Sequence, residues 1–210
     1  PILVGGTGLY VRAVLENFEF PGTDPELRAR LEAELAAGGP AVLHARLAER
    51  DPVAAERILP SNGRRLVRAL EVIELTGEPF IAELPVPAPV YPSVQLGVDI
   101  DNEQLDQRIA RRVEAMWSRG LVREVHELAA HGLRDGLTAP RALGYQQVLA
   151  YLDGECSEDQ AAIDTVQGTR KLVRRQRKWF RRDPRIAWFD GSDPDLFDHA
   201  YAAVRQNGAR

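Results

Sequence analysis

Residues 22–78 carry only helical signals, yet strand signals stand on both sides, Ile2-Leu3-Val4 before them and the alternating run Val94–Ile100 after them. The simplest solution for such a chain is an α/β core interrupted by a helical insertion. The first signal runs straight into Gly5-Gly6-Thr7-Gly8, and a strand that short needs partners on its edges to satisfy its backbone groups. It is expected to be a buried strand of a larger sheet. With Pro1 where an initiator Met would stand, the expectation is the C-terminal part of a longer protein.

Punctuation along the chain fixes the remaining elements. A short helix is expected from Leu9, and a second over about 25–37, capped by Asp24 or Thr23 with Pro25 in its first turn. Gly38-Gly39-Pro40 stops it, a further helix covers about 40–50, and Asp51-Pro52 starts another. Ser61-Asn62-Gly63 turns into a helix over 64–76 that ends at Gly77. Pro79, Pro85, Pro87, Pro89 and Pro92 mark an extended linker. Beyond the strand at 94–100, Leu105, Ile109, Val113, Met116, Leu121, Val125 and Leu128 recur at helical spacing, which predicts one long helix over 102–131. Helices over 145–152 and 158–181, a closing strand at 186–190 and a terminal helix over 194–206 complete the reading. The fold class is therefore helix-rich α/β, with residues 1–20 and 91–210 forming the core and 21–90 the helical insertion.

Of the 210 residues, 44% are apolar and none forms the run of roughly 18 uncharged apolar residues that a membrane helix needs. Cys156 is the single cysteine, which excludes a disulfide framework and suits a reducing, cytoplasmic setting. His44, His126, His131 and His199 have no metal-ligand spacing, and no Ser, His and Asp set stands out as a nucleophilic triad.

The net charge of −4 makes the local charge pattern informative. Seven of the twelve residues in 171–182 are basic and none is acidic. Repulsion along such a helix costs a few tenths of a kcal/mol per i,i+4 pair. A polyphosphate backbone offsets that cost. Helical spacing places Arg174, Lys178 and Arg181 on one face, with Arg175 and Arg182 elsewhere, and Trp179 or Phe180 is available to stack on a base. The plainer alternative is a solvated helix whose aromatics dock into the core. Arg64, Arg65 and Arg68 form a second cluster, with Glu71 and Glu74 as alternative partners for its cations. In a third, Arg112 lies beside the buried stripe where it can be held rigidly, and its planar fork suits a pyrophosphate. Pairing with Glu103, Asp106 or Glu114 is the competing reading.

Taken in order, Gly5-Gly6-Thr7-Gly8-Leu9-Tyr10, Arg64 to Val72, Arg108 to Met116, Leu143-Gly144-Tyr145 and Arg174 to Arg181 closely resemble the bacterial tRNA dimethylallyltransferases, the IPP transferase family. The resemblance implies a P-loop NTPase-like parallel sheet with a helical insertion that grips the tRNA anticodon arm. It implies transfer of a dimethylallyl group from dimethylallyl diphosphate to N6 of the adenosine 3′ of the anticodon, with Mg²⁺ assistance, by a monomer. Carried over residue by residue, the tRNA contacts are Thr7, Arg28, Arg64, Arg65, Leu66, Val67, Arg68, Arg141, Ala142, Leu143, Gly144, Tyr145, Gln146, Arg174, Arg175, Gln176, Arg177, Lys178, Trp179, Phe180 and Arg181. Arg112 falls where the family places an arginine near the diphosphate. Gln146 stands where a basic residue also occurs in relatives. The family's GxxxxGK[ST] loop, most of its Mg²⁺ ligands and the Asp that acts as base toward N6 do not occur in this sequence, so negligible transfer is expected from these residues alone. A non-catalytic RNA-binding module is the alternative from a different class.

Overall fold

The computed structural model describes residues 1–16, 18, 20–80 and 88–208, so part of the proline-rich stretch, residues 81–87, lies outside the described residues. The chain divides into two compact units, Arg12–Tyr91 and a second made of Pro1–Val11 with Pro92–Arg210. Helix α1, Gly8–Glu16, begins in the latter stretch and ends in the former.

In the Arg12–Tyr91 unit the helix boundaries follow the capping chemistry of the sequence. Helix α2, Pro25–Arg50, starts at Asp24, whose carboxylate accepts the N–H groups of Glu26 at 2.9 Å and Leu27 at 3.0 Å. The expected stop at Gly38-Gly39-Pro40 is a kink inside α2. Gly39 takes φ +72°, a conformation that costs glycine little, and Pro40 opens the second half. Buried Asp51 caps α3, Pro52–Arg57, through Ala54 N–H at 2.9 Å, and also accepts Phe80 N–H at 2.9 Å. Helix α4, Gly63–Thr76, is capped by Asn62 and closed by Gly77 in the left-handed region. These helices bury one core built on Leu31, Leu43, Leu47, Ile58, Leu66 and Leu70.

The other unit holds strands β1, Gln95–Asp99, and β2, Ile186–Asp190, paired in parallel with Gln95 opposite Ile186 and Asp99 opposite Asp190. A parallel pair requires a long crossover. Helices α5 (Asn102–Ser118), α6 (Leu121–Ala130), α7 (Tyr145–Leu152) and α8 (Glu158–Phe180) supply it, and α9, Leu196–Gly208, follows β2. Leu121, Val125, Val148 and Leu149 form the core of this helical layer, with Met116 and Trp117 packed against it.

Two expectations need correcting. No strand forms at residues 2–4: a strand exists through its ladder, among the described residues β1 and β2 pair only with each other, and Ile2 and Val4 expose 93% and 88% of their surface. The helix expected over 102–131 is two helices. Gly120, at φ +94°, follows the last residues of α5 and stands at the N-cap of α6, while Leu121 and Val125 remain buried. Leu66 of α4 is fully buried, so Leu66→Ala is expected to cost about 2–5 kcal/mol in denaturant unfolding. The folded fraction of that variant should retain the chain's ligand affinity.

Candidate nucleic-acid interface

Each unit carries one of the strong cationic motifs, and in each a carboxylate pairs with two of the arginines. In the Arg12–Tyr91 unit that carboxylate is Glu71, which is fully buried. It accepts Arg28 Nε at 3.2 Å and Arg28 Nη2, Arg68 Nη1 at 2.7 Å, and the backbone N–H of Asp24 at 3.2 Å. Arg68 also donates to the carbonyls of Gly22, at 2.9 Å, and Pro21, at 2.6 Å, tying the segment before α2 to α4. Burial pushes the Glu71 carboxyl up, but the bonds from Arg28, Arg68 and Asp24 outweigh it and leave its pKa below the ordinary glutamate value.

This geometry revises the motif at 64–68. Leu66 and Val67 are core residues, 0% and 4% exposed, so their side chains do not reach a ligand. Arg64 and Arg65 are exposed, and Arg64 makes no ion pair among the described residues. Arg28 and Arg68 are half-buried and already paired with Glu71, as the competing reading of this cluster had it for Arg68.

In the other unit Asp99, at the end of β1, accepts Arg177 Nε at 2.8 Å and Arg181 Nη2 at 2.8 Å. Arg177 also donates to the Ile100 carbonyl and to Asn102 Oδ1. Burial raises the Asp99 carboxyl, but Arg181, Arg177 and the Ile100 N–H bring it below the usual aspartate value. Of the expected face of Arg174, Lys178 and Arg181, Arg181 is the member that also pairs with Asp99, although its side chain stays 63% exposed. The face that α8 offers to solvent is Lys171, Arg174, Arg175 and Lys178, at three- and four-residue spacing. All four are exposed and make no ion pair among the described residues.

The aromatics at the end of α8 are less available than expected. Trp179 is half-buried over Gly8, where an added Cβ would lie 1.9 Å from its indole Nε1. Gln176 Nε2 donates to the Gly6 carbonyl at 3.1 Å. Both residues therefore hold the glycine turn in place, and Phe180 is half-buried. Thr7 is exposed, and its carbonyl accepts Tyr10 N–H at 2.9 Å at the start of α1.

Of residues 141–146, Leu143 is the one brought against α8. Leu143 packs on Gly168, where a Cβ would lie 2.6 Å from Leu143 Cδ2. A groove of about 400 Å³ is lined by Leu143, Gly168, Lys171, Arg174 and Arg175. Arg141, Ala142 and Gln146 are exposed, and Gly144 is buried at φ +95°. Half-buried Tyr145 donates its hydroxyl to Glu124, a bond that raises the phenol pKa. Lys171 belongs to the basic run read from the sequence, whereas Gly168 was missed as a member of this site. A glycine inside a helix signals close approach of another element, and that signal is present at 168.

Arg112 is exposed and makes no ion pair with Glu103, Asp106 or Glu114; Asp106 pairs instead with Arg170 at 3.2 Å. The rigid holding expected for Arg112 is not found. Among the described residues no three His, Cys, Asp or Glu side chains cluster to hold a metal ion, so these residues form no cage for Mg²⁺. Nor is any helix among them long and apolar enough to cross a membrane.

A parallel pair of strands crossed by helices, beside a separate helical unit, defines a helix-rich α/β protein. The family model for IPP transferase matches residues 1–183, and the chain belongs to that family. It is 66% identical over 205 residues to a tRNA dimethylallyltransferase of Salinispora arenicola, covering 98% of this chain and 60% of that protein. The corresponding protein of Thermobifida fusca is 60% identical over 204 residues, covering 97% and 64%. The chain thus spans about 60–65% of the length of the curated relatives it matches. Among solved structures it is similar to the full-length tRNA isopentenylpyrophosphate transferase of Bacillus halodurans, with TM-score 0.60, 33% identity, and coverage of 97% of this chain and 66% of that one. It shares the fold of a eukaryotic dimethylallyltransferase acting on tRNA, with TM-score 0.67, 21% identity, and coverage of 95% and 54%.

The lowered pKa values of Glu71 and Asp99 set an acid limit on stability. A carboxyl whose native pKa lies below its unfolded value stabilises the fold above the unfolded value, about 4 for both residue types. That contribution is lost as pH falls through the lower native value. Thermal melts from pH 7 to pH 2 are expected to show the loss setting in below about pH 4, and Asp99→Asn should make the acid fall shallower. An unchanged acid limb in that variant would contradict the assignment.

Proposed function

We propose that this chain is the tRNA-gripping, arginine-bearing portion of a cytoplasmic tRNA dimethylallyltransferase. In the reaction, N6 of the adenosine 3′ of the anticodon attacks the allylic carbon of dimethylallyl diphosphate. The N6–C bond forms, the C–O bond breaks, diphosphate leaves, and the N6 proton passes to a base. Membership of the IPP transferase family carries this reading. The exposed cations of α8 support it, since they suit RNA phosphates.

Lys171, Arg174, Arg175 and Lys178 would bind the RNA backbone, with exposed Arg141 and Gln146 and, at the glycine turn, Thr7 as further contacts. Arg64, Arg65, Arg28 and Arg68 would meet the anticodon arm from the helical unit. Arg177, Arg181, Gln176 and Trp179 would act within the protein by fixing α8. Arg112, with its guanidinium unspent, would stabilise the charge that accumulates on the departing diphosphate. Mg²⁺ would assist that departure, held by residues other than those described here. A non-catalytic RNA-binding module is not favoured, since relatives named as transferases match nearly the whole chain.

Affinity for tRNA should fall by orders of magnitude between about 50 and 200 mM salt. Lys171→Ala, Arg174→Ala or Arg175→Ala should each reduce the salt slope by about one. Salt-insensitive binding would remove the role of α8. In a chain extended to the length of its relatives, labelled dimethylallyl diphosphate should yield labelled tRNA. There Arg112→Ala should slow transfer by about a hundredfold while tRNA binding is kept.

A further inference from the structure

Arg28 and Arg68 present a contradiction between resemblance and geometry: the first makes them RNA contacts, the second pairs both with a buried carboxylate. Counting their donors resolves it. A guanidinium has five N–H groups in a fixed fork. Arg28 uses Nε and Nη2 on Glu71, which leaves both N–H groups of Nη1. Arg68 uses both groups of Nη1 and one of Nη2, which leaves Nε and one N–H of Nη2. The two side chains stay 39% and 27% exposed, although the carboxylate beneath them is at 0%. Arg64 stands one helical turn before Arg68 on the same face of α4 and is exposed.

We propose that Glu71 is a positioning residue for RNA phosphate, holding the guanidiniums of Arg28 and Arg68 so that their unspent N–H groups face solvent beside Arg64. The inference rests on the RNA-binding reading given above. A long flexible arginine loses side-chain entropy when it grips a phosphate, and a fork already fixed by a buried partner loses less. Glu71 also joins the start of α2, through Asp24 and Arg28, to Arg68 on its own helix, so the spacing between the two forks is set by one side chain.

Charge and positioning predict opposite signs for one substitution. Glu71→Gln takes a negative charge from beneath two cations, which by charge alone tightens binding of an anion. Positioning predicts weaker binding. The test is titration of a labelled tRNA with the 210-residue chain and its variants from 50 to 200 mM salt, at a temperature where circular dichroism shows each variant folded. Glu71→Gln should weaken binding several-fold, with the slope of log K against log salt falling by about one for each phosphate that is no longer neutralised. Arg28→Lys and Arg68→Lys keep the charge but lose the fork, and should weaken binding comparably. Combining Glu71→Gln with Arg28→Lys should cost little more than either alone. Equal or tighter binding by folded Glu71→Gln, or losses that add in the double variant, would overturn the proposal. If Glu71→Gln does not fold, undiminished binding by both lysine variants overturns it. Failure of the unaltered chain to bind tRNA would instead remove the RNA reading, and this inference with it.

Discussion

What α8 shows to solvent is decided by what it turns inward, and at its C-terminal end the inward contacts include the one that Arg177 makes with the Asp99 carboxylate. Pairing of β1 with β2 fixes the place of Asp99, and Arg177 and Arg181 then fix the rotation of α8 about its own axis. Trp179 over Gly8 and Gln176 on the Gly6 carbonyl restrain the same end of the helix from another side. With the inward side occupied, Lys171, Arg174, Arg175 and Lys178 are left on the outside without carboxylate partners among the described residues. Their mutual repulsion is tolerated because each pair costs only tenths of a kcal/mol, against an anchor that is half-buried and charge-assisted.

The helical unit repeats the device with different parts. Glu71 does for Arg28 and Arg68 what Asp99 does for Arg177 and Arg181, but from a fully buried position. A buried carboxylate is tolerable only when its lone pairs are filled, and Glu71 fills them from two guanidiniums and a backbone N–H. A single arginine-rich motif thus contains residues with unlike duties. Some hold the fold, and the exposed remainder is available to a ligand.

Much of this architecture was legible in the sequence. Asp24, Asp51, Asn62 and Ser157 cap helices where local chemistry placed them, and the two strands follow from alternation and flanking turns. Local signals failed where the outcome depends on distant partners. Ile2-Leu3-Val4 has strand composition, but composition supplies no ladder. The apolar stripe from Leu105 to Leu128 did carry a sign of the break: its spacings are three or four residues except for the five from Met116 to Leu121, which span Gly120. Helical spacing grouped Arg181 with Arg174 and Lys178, since it cannot see an aspartate 82 residues away in sequence. The burial of Leu66 and Val67 within a basic motif was foreseeable for Leu66 from its spacing to Leu70 and Ile73.

The outward face of α8 also has a length. Lys171 and Lys178 are seven residues apart, which on an α-helix is about 10 Å along the axis. A stacked strand rises about 3.4 Å per nucleotide. On the RNA-binding reading proposed above, a face of that length would span roughly three nucleotides, with Arg174 and Arg175 flanking its middle.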